Sequence, residues 1–316
     1  MEYRRLGNSG LKVSVIGLGT NRFGSDVLPQ KEVNNTLDAA LDLGINFLDT
    51  ANMYAEGESE RTIGEALKGK RDRFVIATKF YMKVGEGPND RGASRYHIQH
   101  AVEGSLRRLQ TDTIDLYYAH RWDDETPIEE TLRAVDDLIQ AGKVRYFGAS
   151  MYASWQLATA NRLAEFKSLN RIVALQSEYH LLERAVEKEV LPACVADNVG
   201  FIPYFPLAGG FLSGKYKRGQ PPPKGSRGEF SPYVQGYLTE ENFDRIEAME
   251  TWAEARGRTL IELAHAWLMA QPQVSSVISG ATKAEHVISN VSAADWALEP
   301  QDLEEISTIL EPTEDD

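Results

Sequence analysis

The sequence predicts an α/β fold: a (β/α)8 TIM barrel with an N-terminal β-hairpin and a long loop between strands 7 and 8. The first observation behind this prediction is that eight short apolar runs of strand length recur along the 316 residues. The second is that amphipathic helical segments, with apolar residues at i, i+3, i+4 and i+7, separate most of these runs. Strands alternating with helices build a parallel sheet covered on both faces, and eight such units close into a barrel. Residues 1–316 are predicted to form a single barrel domain.

The hairpin is predicted at the start of the chain, where Gly7-Asn8-Ser9-Gly10 supplies the turn between two short extended runs. The predicted barrel strands follow in order as Val13–Gly17, Ile45–Asp49, Phe74–Lys79, Ile114–His120, Val144–Ser150, Ile172–Gln176, Gly200–Phe205 and Ser275–Ser279. The helices predicted between them are Val33–Leu43, Arg61–Leu67, His97–Leu109, Ile128–Ala141, Trp155–Phe166 and Val186–Ala196.

The interval between the seventh and eighth strands is longer than the others. It contains Gly209–Gly236, a segment rich in glycine and proline that carries five basic residues: Lys215, Lys217, Arg218, Lys224 and Arg227. Long structureless loops are uncommon in compact domains and are usually functional, so this segment is predicted to be a loop that closes over a ligand. Further helices are predicted over Glu240–Arg256, Thr259–Ala270 and Pro300–Leu310, and Glu314-Asp315-Asp316 is expected to fray.

Composition limits the function classes. The formal charge of −13 argues against nucleic acid and anionic membrane as general partners. The single cysteine, Cys194, excludes an intramolecular disulfide, and neither a signal peptide nor an apolar run of membrane-spanning length is recognisable. These features predict a cytoplasmic protein, and they leave room for a local basic pocket that binds a phosphorylated ligand. Oligomeric state cannot be read from the sequence.

Six of the eight predicted strands end in a residue able to donate, accept or ionise. In a barrel of this kind the carboxyl ends of the strands carry the active site. Each such residue also has an ordinary structural explanation: a carboxylate can cap the next helix, a lysine can reach solvent, and a histidine can be a satisfied structural group. Their coincidence at one end of the barrel nevertheless predicts a functional site there. The six residues are Asp49, Lys79, His120, Ser150, Gln176 and Tyr204.

The chemistry suggested by these ends is proton transfer to a carbonyl oxygen. Tyr54 lies on the loop after Asp49, and a phenol with a pKa near ~10 is a poor acid at neutral pH. A buried Lys79 cation would lower that pKa, and the Asp49 carboxylate would keep the lysine charged. His120 could hydrogen-bond the substrate oxygen and fix its direction. None of these groups supplies a hydride, so a cofactor would have to.

These residues and the motifs around them resemble the aldo-keto reductase superfamily over nearly the whole chain. The ordered set comprises Gly17-Leu18-Gly19-Thr20, Asp49-Thr50-Ala51-Asn52-Met53-Tyr54, Gly57-Glu58-Ser59-Glu60, Ala77-Thr78-Lys79, Asp115-Leu116-Tyr117-Tyr118-Ala119-His120, Gly148-Ala149-Ser150, Gln176-Ser177-Glu178-Tyr179, Tyr204-Phe205-Pro206-Leu207 and Ser279-Gly280-Ala281-Thr282-Lys283. The resemblance implies a catalytic tetrad of Asp49, Tyr54, Lys79 and His120. It also implies NADPH as hydride donor, a small carbonyl compound as substrate, and Tyr54 as general acid in reduction.

The same resemblance implies the residues that bind the cofactor. Ser150 and Gln176 would bond the nicotinamide carboxamide, and Tyr204 would stack on the ring. The full implied set is Gly19, Thr20, Asp49, Ser150, Gln176, Tyr204, Phe205, Leu207, Gly209, Gly210, Lys215, Gly280, Thr282, Lys283, His286 and Asn290. Two positions depart from the family pattern: Met151 stands where asparagine is usual, and His286 where arginine or glutamine is commoner.

The substrate pocket is predicted from residues at or just past the strand ends. It consists of Phe23, Tyr54, Phe80, Tyr81, His120, Trp122 and Met151, which suggests an apolar, partly aromatic mouth. For the residues outside the tetrad, ordinary loop packing is the alternative interpretation.

Other readings of the motifs are weaker. Gly17–Arg22 has arginine where a dinucleotide fingerprint needs its third glycine, and Gly209–Tyr216 lacks the hydroxyl that completes a phosphate-binding loop. The six histidines show no metal-ligand spacing, so no metal is predicted. A redox-sensing regulatory protein similar to potassium-channel β subunits is the main alternative function. A metal-dependent hydrolase is a third possibility.

Overall fold

The computed structural model describes residues 1–26 and 28–311, so the expected fraying of residues 314–316 lies outside the described chain. Eight parallel strands close into a barrel in sequence order. They are β3 Ile16–Gly19, β4 Phe47–Asp49, β5 Val75–Phe80, β6 Ile114–Ala119, β7 Val144–Ser150, β8 Ile172–Glu178, β9 Gly200–Tyr204 and β10 Val277–Gly280, the last pairing with β3. The predicted (β/α)8 fold is therefore confirmed.

A two-stranded antiparallel sheet precedes the barrel. Strands β1 Tyr3–Arg5 and β2 Lys12–Ser14 pair with Tyr3 opposite Ser14. The predicted first barrel strand began at Val13, which was wrong because residues 12–14 belong to this hairpin. Leu6 and Val13 are fully buried in a cluster with Phe47 of β4, so the hairpin closes the amino-terminal end of the barrel.

The helices pack around the barrel and bury their apolar faces against it. They are α1 Gln30–Asp42, α2 Glu58–Ala66, α3 Arg95–Leu109, α4 Ile128–Gln140, α5 Ser154–Phe166, α6 Val190–Asp197, α7 Arg227–Phe230, α8 Pro232–Gln235, α9 Glu240–Glu254, α10 Leu260–Met269, α11 Ala284–Val291 and α12 Pro300–Leu310. The sequence prediction missed α11, a helix of only 8 residues after β10. Such a length is marginal by itself and depends on tertiary packing, here through Val287. Within the described chain no helix has the length and apolarity needed to cross a bilayer.

The segment between β9 and α9 is ordered, whereas the sequence analysis treated Gly209–Gly236 as one long loop. A 3-10 helix over Ala208–Ser213 and the short helices α7 and α8 interrupt it. Phe211 and Tyr216 are buried inside it, and the Gly228 N–H donates to the Tyr216 hydroxyl at 2.9 Å. Both rings belong to the main hydrophobic core, and Phe211 packs on Phe243 of α9, so the segment is packed against the rest of the domain.

Candidate active site

A cavity of about 780 Å³ opens at the carboxyl ends of the barrel strands. Its wall runs from the ends of β3 and β4 across the barrel to β10 and α11, and the segment after β9 covers one side. Asp49, Tyr54 and His120 line one region, and His286 and Asn290 line another. Barrels of this architecture carry their active sites at the carboxyl ends of the strands, where this cavity lies.

Asp49 and Lys79 form a buried ion pair at the base of the cavity. Asp49 ends β4 opposite Ala77 of β5, and the alternation of side chains along a strand turns Lys79 to the same face as Ala77. The Lys79 ammonium lies 2.5 Å from Oδ1 of Asp49 and donates to the Thr50 carbonyl at 2.8 Å. Lys79 has no exposed surface. Burial is the largest single influence and acts to lower the pKa of Lys79, but the effects of Asp49 and Tyr54 together outweigh it, so the pKa is raised and the lysine is charged.

The second carboxylate oxygen of Asp49 is also bonded. The Gln176 side-chain amide donates to Oδ2 of Asp49 at 2.9 Å. The family resemblance implies only a bond from Gln176 to the cofactor carboxamide. The contact with Asp49 carries no sequence signal, because β4 and β8 face each other across the barrel. The bond fixes the Gln176 amide with its N–H₂ toward Asp49 and leaves its carbonyl oxygen free to accept.

Tyr54 is held beside the ion pair by an unusual loop. It begins a 3-10 turn, Tyr54–Gly57, in which Ala55 and Glu56 have left-handed φ values of 47° and 55°. Ser59 at the start of α2 anchors this loop, because its hydroxyl donates to the Thr20 carbonyl at 2.9 Å and lies 2.9 Å from the Thr50 hydroxyl. The loop is thereby tied to the ends of both β3 and β4.

The Tyr54 ring lies between a cation and a histidine. Its centroid is 5.1 Å from the Lys79 ammonium and 6.1 Å from the centroid of the His120 ring, which it meets edge-on. Burial raises the pKa of the Tyr54 phenol, and the positive charge of Lys79 only partly opposes this. The sequence-based expectation of a net lowering was therefore wrong for the protein alone, and the phenol is a protonated donor at neutral pH.

His120 follows β6 and is half-buried. Its backbone N–H donates to the Phe80 carbonyl at 3.0 Å, which continues the pairing of β5 with β6. Burial and the nearby charges of Lys79 and Arg121 lower the pKa of its imidazole to about 3. The ring is therefore neutral over the working pH range, with one N–H donor and one acceptor nitrogen.

Most of the other residues assigned by resemblance lie on the cavity wall, whereas Lys283 immediately precedes α11 outside it. Those on the wall are Gly19, Thr20, Ser150, Met151, Gln176, Tyr204, Phe205, Leu207, Gly209, Gly210, Lys215, Gly280, Thr282, His286 and Asn290. Thr20 is fixed by a hydrogen bond from its hydroxyl to the Asp49 carbonyl at 2.8 Å. Met151, the residue immediately after β7, is 44% exposed and has a left-handed φ of 57°.

Four residues of the predicted substrate pocket are not on this wall. Phe23 and Phe80 are fully buried in the core between strands and helices. Phe80 follows Lys79 on β5, so its side chain turns away from the barrel interior. Tyr81 is half-buried against the same core. Trp122 stacks edge-on against Tyr152 and Trp155, at 5.2 and 5.4 Å.

Comparison with known protein families identifies the chain. The model of the aldo/keto reductase family matches residues 15–311. The chain belongs to the aldo-keto reductase family. Members of this family generally use NAD(P)H and act on small-molecule carbonyl compounds, and the chain is accordingly an oxidoreductase by family.

Individual relatives of this aldo-keto reductase span almost its full length. A "Probable voltage-gated potassium channel subunit beta" of Oryza sativa subsp. japonica is 36% identical over 98% of the chain and 97% of its own length. An "Uncharacterized oxidoreductase" of Bacillus subtilis is 36% identical over 98% and 96%. A "Versiconal hemiacetal acetate reductase" of Aspergillus parasiticus is 34% identical over 99% and 97%. Two of these three relatives are named as oxidoreductases and one is named as a channel subunit.

The part of the cavity beyond β9 and β10 suits a ligand that carries phosphate. The Lys215 ammonium lies against Gly210, where an added Cβ would be only 2.5 Å from Nζ, and Gly210 has a φ of 102° that favours glycine. Burial is the main cause of the lowered pKa of His286. The positive charges of Lys283 and Lys215 lower it further, so the three groups lie near one another. Among residues 1–26 and 28–311, neither lysine has a carboxylate within 4.0 Å. A phosphate would supply the missing counter-charge.

The segment after β9 is bonded to the barrel through Glu178. Its carboxylate accepts hydrogen bonds from the hydroxyls of Tyr233 in α8 and of Tyr237, the latter at 3.2 Å. His180, fully buried, lies 3.2 Å from the same carboxylate. These contacts were not anticipated from the sequence, because Glu178 and the two tyrosines are distant along the chain.

Sequence reasoning also missed Arg22, Arg227 and Phe230 as cavity residues. Arg22 was noted only as the residue that breaks a dinucleotide fingerprint, and Arg227 only as one of several basic residues in the inserted segment. For neither does a local pattern indicate that it faces the cavity. Over the part of the chain that the structure describes, no group of three metal-ligating side chains comes together.

Proposed function

We propose that the chain is an NADPH-dependent oxidoreductase that reduces an aldehyde or ketone to an alcohol. The observation that carries the proposal is the Tyr54 phenol, which lines the cavity with Asp49 and lies beside the fully buried Lys79 paired to that carboxylate. A protonated phenol next to a cation is a proton donor whose conjugate base is stabilised where it forms.

Tyr54 acts as the general acid in this proposal. The reduced nicotinamide supplies a hydride to the carbonyl carbon when it is bound. The Tyr54 O–H gives its proton to the carbonyl oxygen, which becomes the alcohol hydroxyl, and the phenolate left behind faces the Lys79 ammonium. Asp49 keeps that ammonium charged, since removing its counter-charge would favour a neutral amine. A proton from solvent restores the phenol after the alcohol leaves.

His120 orients the substrate. Because its imidazole is neutral, it offers an N–H donor to the carbonyl oxygen without adding a positive charge that would compete with Lys79. Its ring meets the Tyr54 ring edge-on, with the centroids 6.1 Å apart, so both groups stand next to each other on the cavity wall.

The cofactor-binding roles in this proposal are those that the resemblance to the family implies. Ser150 and the free carbonyl oxygen of Gln176 would bond the nicotinamide carboxamide, and Tyr204 would stack on the ring. Thr20 and Asp49 would face the adjoining ribose. Lys215 and Lys283 would hold phosphate, and a positive charge near the adenosine end favours a 2′-phosphate over a hydroxyl.

A carbonyl panel tests this function. Purified protein is mixed with NADPH and simple aldehydes and ketones, and NADPH oxidation is followed together with alcohol formation. Equimolar loss of NADPH and gain of alcohol is expected, with NADH supporting a lower kcat/KM. Failure to reduce any carbonyl, despite saturable NADPH binding, would contradict the enzyme assignment.

A second function is favoured by the names of the relatives. Three of the similar proteins are named as potassium channel β subunits, at 36% or 37% identity over 98% of this chain. A redox-sensing regulatory protein would bind NADPH tightly and turn it over negligibly. Measured cofactor affinity and turnover therefore separate the two functions.

A further inference from the structure

We propose that Tyr118 is a positioning residue for the proton donor: its ring, inside the barrel, holds the Lys79 ammonium where that charge stabilises the phenolate of Tyr54. The inference rests on the proposed function, because it concerns the proton transfer of that reaction. Tyr118 is fully buried and lies outside the cavity wall formed by the described residues, so any effect on the reaction must pass through another side chain.

Tyr118 lies directly beside Lys79 in the sheet. It is on β6, and the register of β5 with β6 places it opposite Lys79. Paired residues of neighbouring strands point to the same face, here the barrel interior, where Tyr118 packs in a cluster with Phe47 and Leu116. The Lys79 ammonium lies over the Tyr118 ring, 5.8 Å from its centroid, which is within the range of a cation–π interaction. The ammonium is therefore within that range of two tyrosine rings, since the Tyr54 centroid is 5.1 Å away.

The Tyr118 ring approaches the ammonium from a different strand than the hydrogen-bond acceptors do. Both hydrogen bonds of the Lys79 ammonium go to the end of β4, to Asp49 and to the Thr50 carbonyl. The Tyr118 ring adds a contact from β6. Because the lysine stem is flexible, a contact from a second strand limits the positions of the charge. Cation–π attraction is strongest for a desolvated cation, and Lys79 has no exposed surface.

Gly148 provides the space that the Tyr118 ring occupies. It pairs with Tyr118 from the other neighbouring strand, β7. A Cβ atom at Gly148 would lie only 2.5 Å from two carbons of the ring, so any larger residue would displace the ring. The φ of Gly148 lies outside the left-handed region, so the backbone itself does not require glycine there. The missing side chain therefore serves the placement of the Tyr118 ring.

The ring of Tyr118, rather than its hydroxyl, carries this role. Within residues 1–26 and 28–311 the hydroxyl has no hydrogen-bond partner. Burial, with a smaller contribution from Asp49, raises the pKa of the phenol well above its ordinary value, so Tyr118 is too weak an acid to deliver a proton itself. Phenylalanine should therefore replace Tyr118 fully, whereas leucine, which fills the core without a π face, should not.

The pH profile of the reverse reaction tests the inference. Oxidation by NADP+ of the alcohol formed from the best substrate of the carbonyl panel needs the Tyr54 phenolate, so its kcat rises with pH as Tyr54 loses its proton. In Tyr118→Leu this rising limb should move to higher pH by about one unit, and kcat at a fixed pH on the limb should fall about 10-fold, the order of effect of a desolvated cation–π interaction. KM for the alcohol should be unchanged. Tyr118→Phe should retain the wild-type profile.

Two further variants separate positioning from core packing. Phe147→Leu removes a buried ring that packs between the strands and the helices, so it should lower the free energy of unfolding and leave the pH profile unchanged. Gly148→Ala displaces the Tyr118 ring without removing it, so it should shift the profile in the same direction as Tyr118→Leu, and it replaces that variant if leucine prevents folding. All these variants retain the titratable groups near Tyr54, which are Lys79, Asp49, His120 and Tyr204.

Unfolding measurements distinguish failure of the inference from failure of the proposed function. The loss of unfolding free energy caused by Tyr118→Leu is measured by urea unfolding in the wild type and in the charge-free background Asp49→Asn/Lys79→Met. The loss should be smaller in that background, where the ring no longer faces a cation. Such a difference supports the inference even if no carbonyl is reduced, in which case the proposed function alone fails. Equal losses in the two backgrounds, an unshifted profile in Tyr118→Leu, or a Tyr118→Phe variant as impaired as Tyr118→Leu would each overturn the inference.

Discussion

The Lys79 ammonium lies 2.5 Å from the Asp49 carboxylate, and neither side chain is more than 5% exposed. A buried ion pair contributes little net stability when intact, but removing one partner leaves a charge without compensation. The same ion pair is therefore expected to affect both the stability of the fold and the proposed proton transfer.

We expect Lys79→Met to lower the free energy of unfolding by roughly 3–5 kcal/mol, because Asp49 would remain buried without its counter-charge. The double variant Asp49→Asn/Lys79→Met should lose less than the sum of the single variants. Urea unfolding of the four proteins measures this coupling. Additive losses would show that the two charges do not stabilise each other.

Tyr54→Phe is expected to reduce kcat/KM for carbonyl reduction roughly 100- to 10,000-fold, the usual contribution of a general acid. NADPH binding, followed by fluorescence quenching, should be retained because the ring itself remains. Tyr96→Phe, at a tyrosine 56% exposed on α3, serves as the control and should have no effect. Undiminished reduction in Tyr54→Phe would refute the proton-transfer mechanism.

The low pKa of His120 predicts a dependence of stability on pH. Its folded-state pKa of about 3 is below the ordinary 6.5, so between these values the unfolded chain binds a proton that the folded protein does not. The contribution of neutral His120 to the free energy of unfolding is therefore full above pH 6.5 and is lost as the pH falls toward 3. His120→Asn should reduce the slope of the unfolding free energy against pH by an amount that corresponds to up to about one bound proton. His100→Asn, at an exposed histidine, should preserve the wild-type slope in urea unfolding between about pH 4 and 6.

The inserted segment is expected to close over the cofactor. Its basic residues offer trypsin sites, among them Lys217 and Lys224, and NADPH should slow cleavage there. The double variant Tyr233→Phe/Tyr237→Phe removes both hydroxyl bonds to Glu178, and we expect it to release NADPH several-fold faster, since two hydrogen bonds of about 1 kcal/mol each hold the segment down. Stopped-flow fluorescence measures the release. Identical proteolysis with and without NADPH would contradict closure.

The tetrad positions could be predicted because they depend on short-range patterns. Asp49 and Lys79 end apolar runs of strand length, and parallel strands of a barrel present their carboxyl ends together. The predicted pocket was less successful at Phe23 and Phe80. Both lie next to polar site residues in sequence, but the alternation along β5 and the turn after β3 direct their rings into the core.

The sequence by itself determined the eight-unit barrel, the family, and the end of the barrel where polar groups gather, because each follows from local periodicity and ordered motifs. Only the tertiary structure decided that Gln176 bonds Asp49, that Glu178 holds the inserted segment, and that Arg22 and Arg227 line the same cavity. These pairs come from distant parts of the chain and carry no local signal. The pKa of Tyr54 also depends on tertiary structure. Burial of the phenol raises this pKa and outweighs the effect of Lys79, and burial cannot be read from the local sequence.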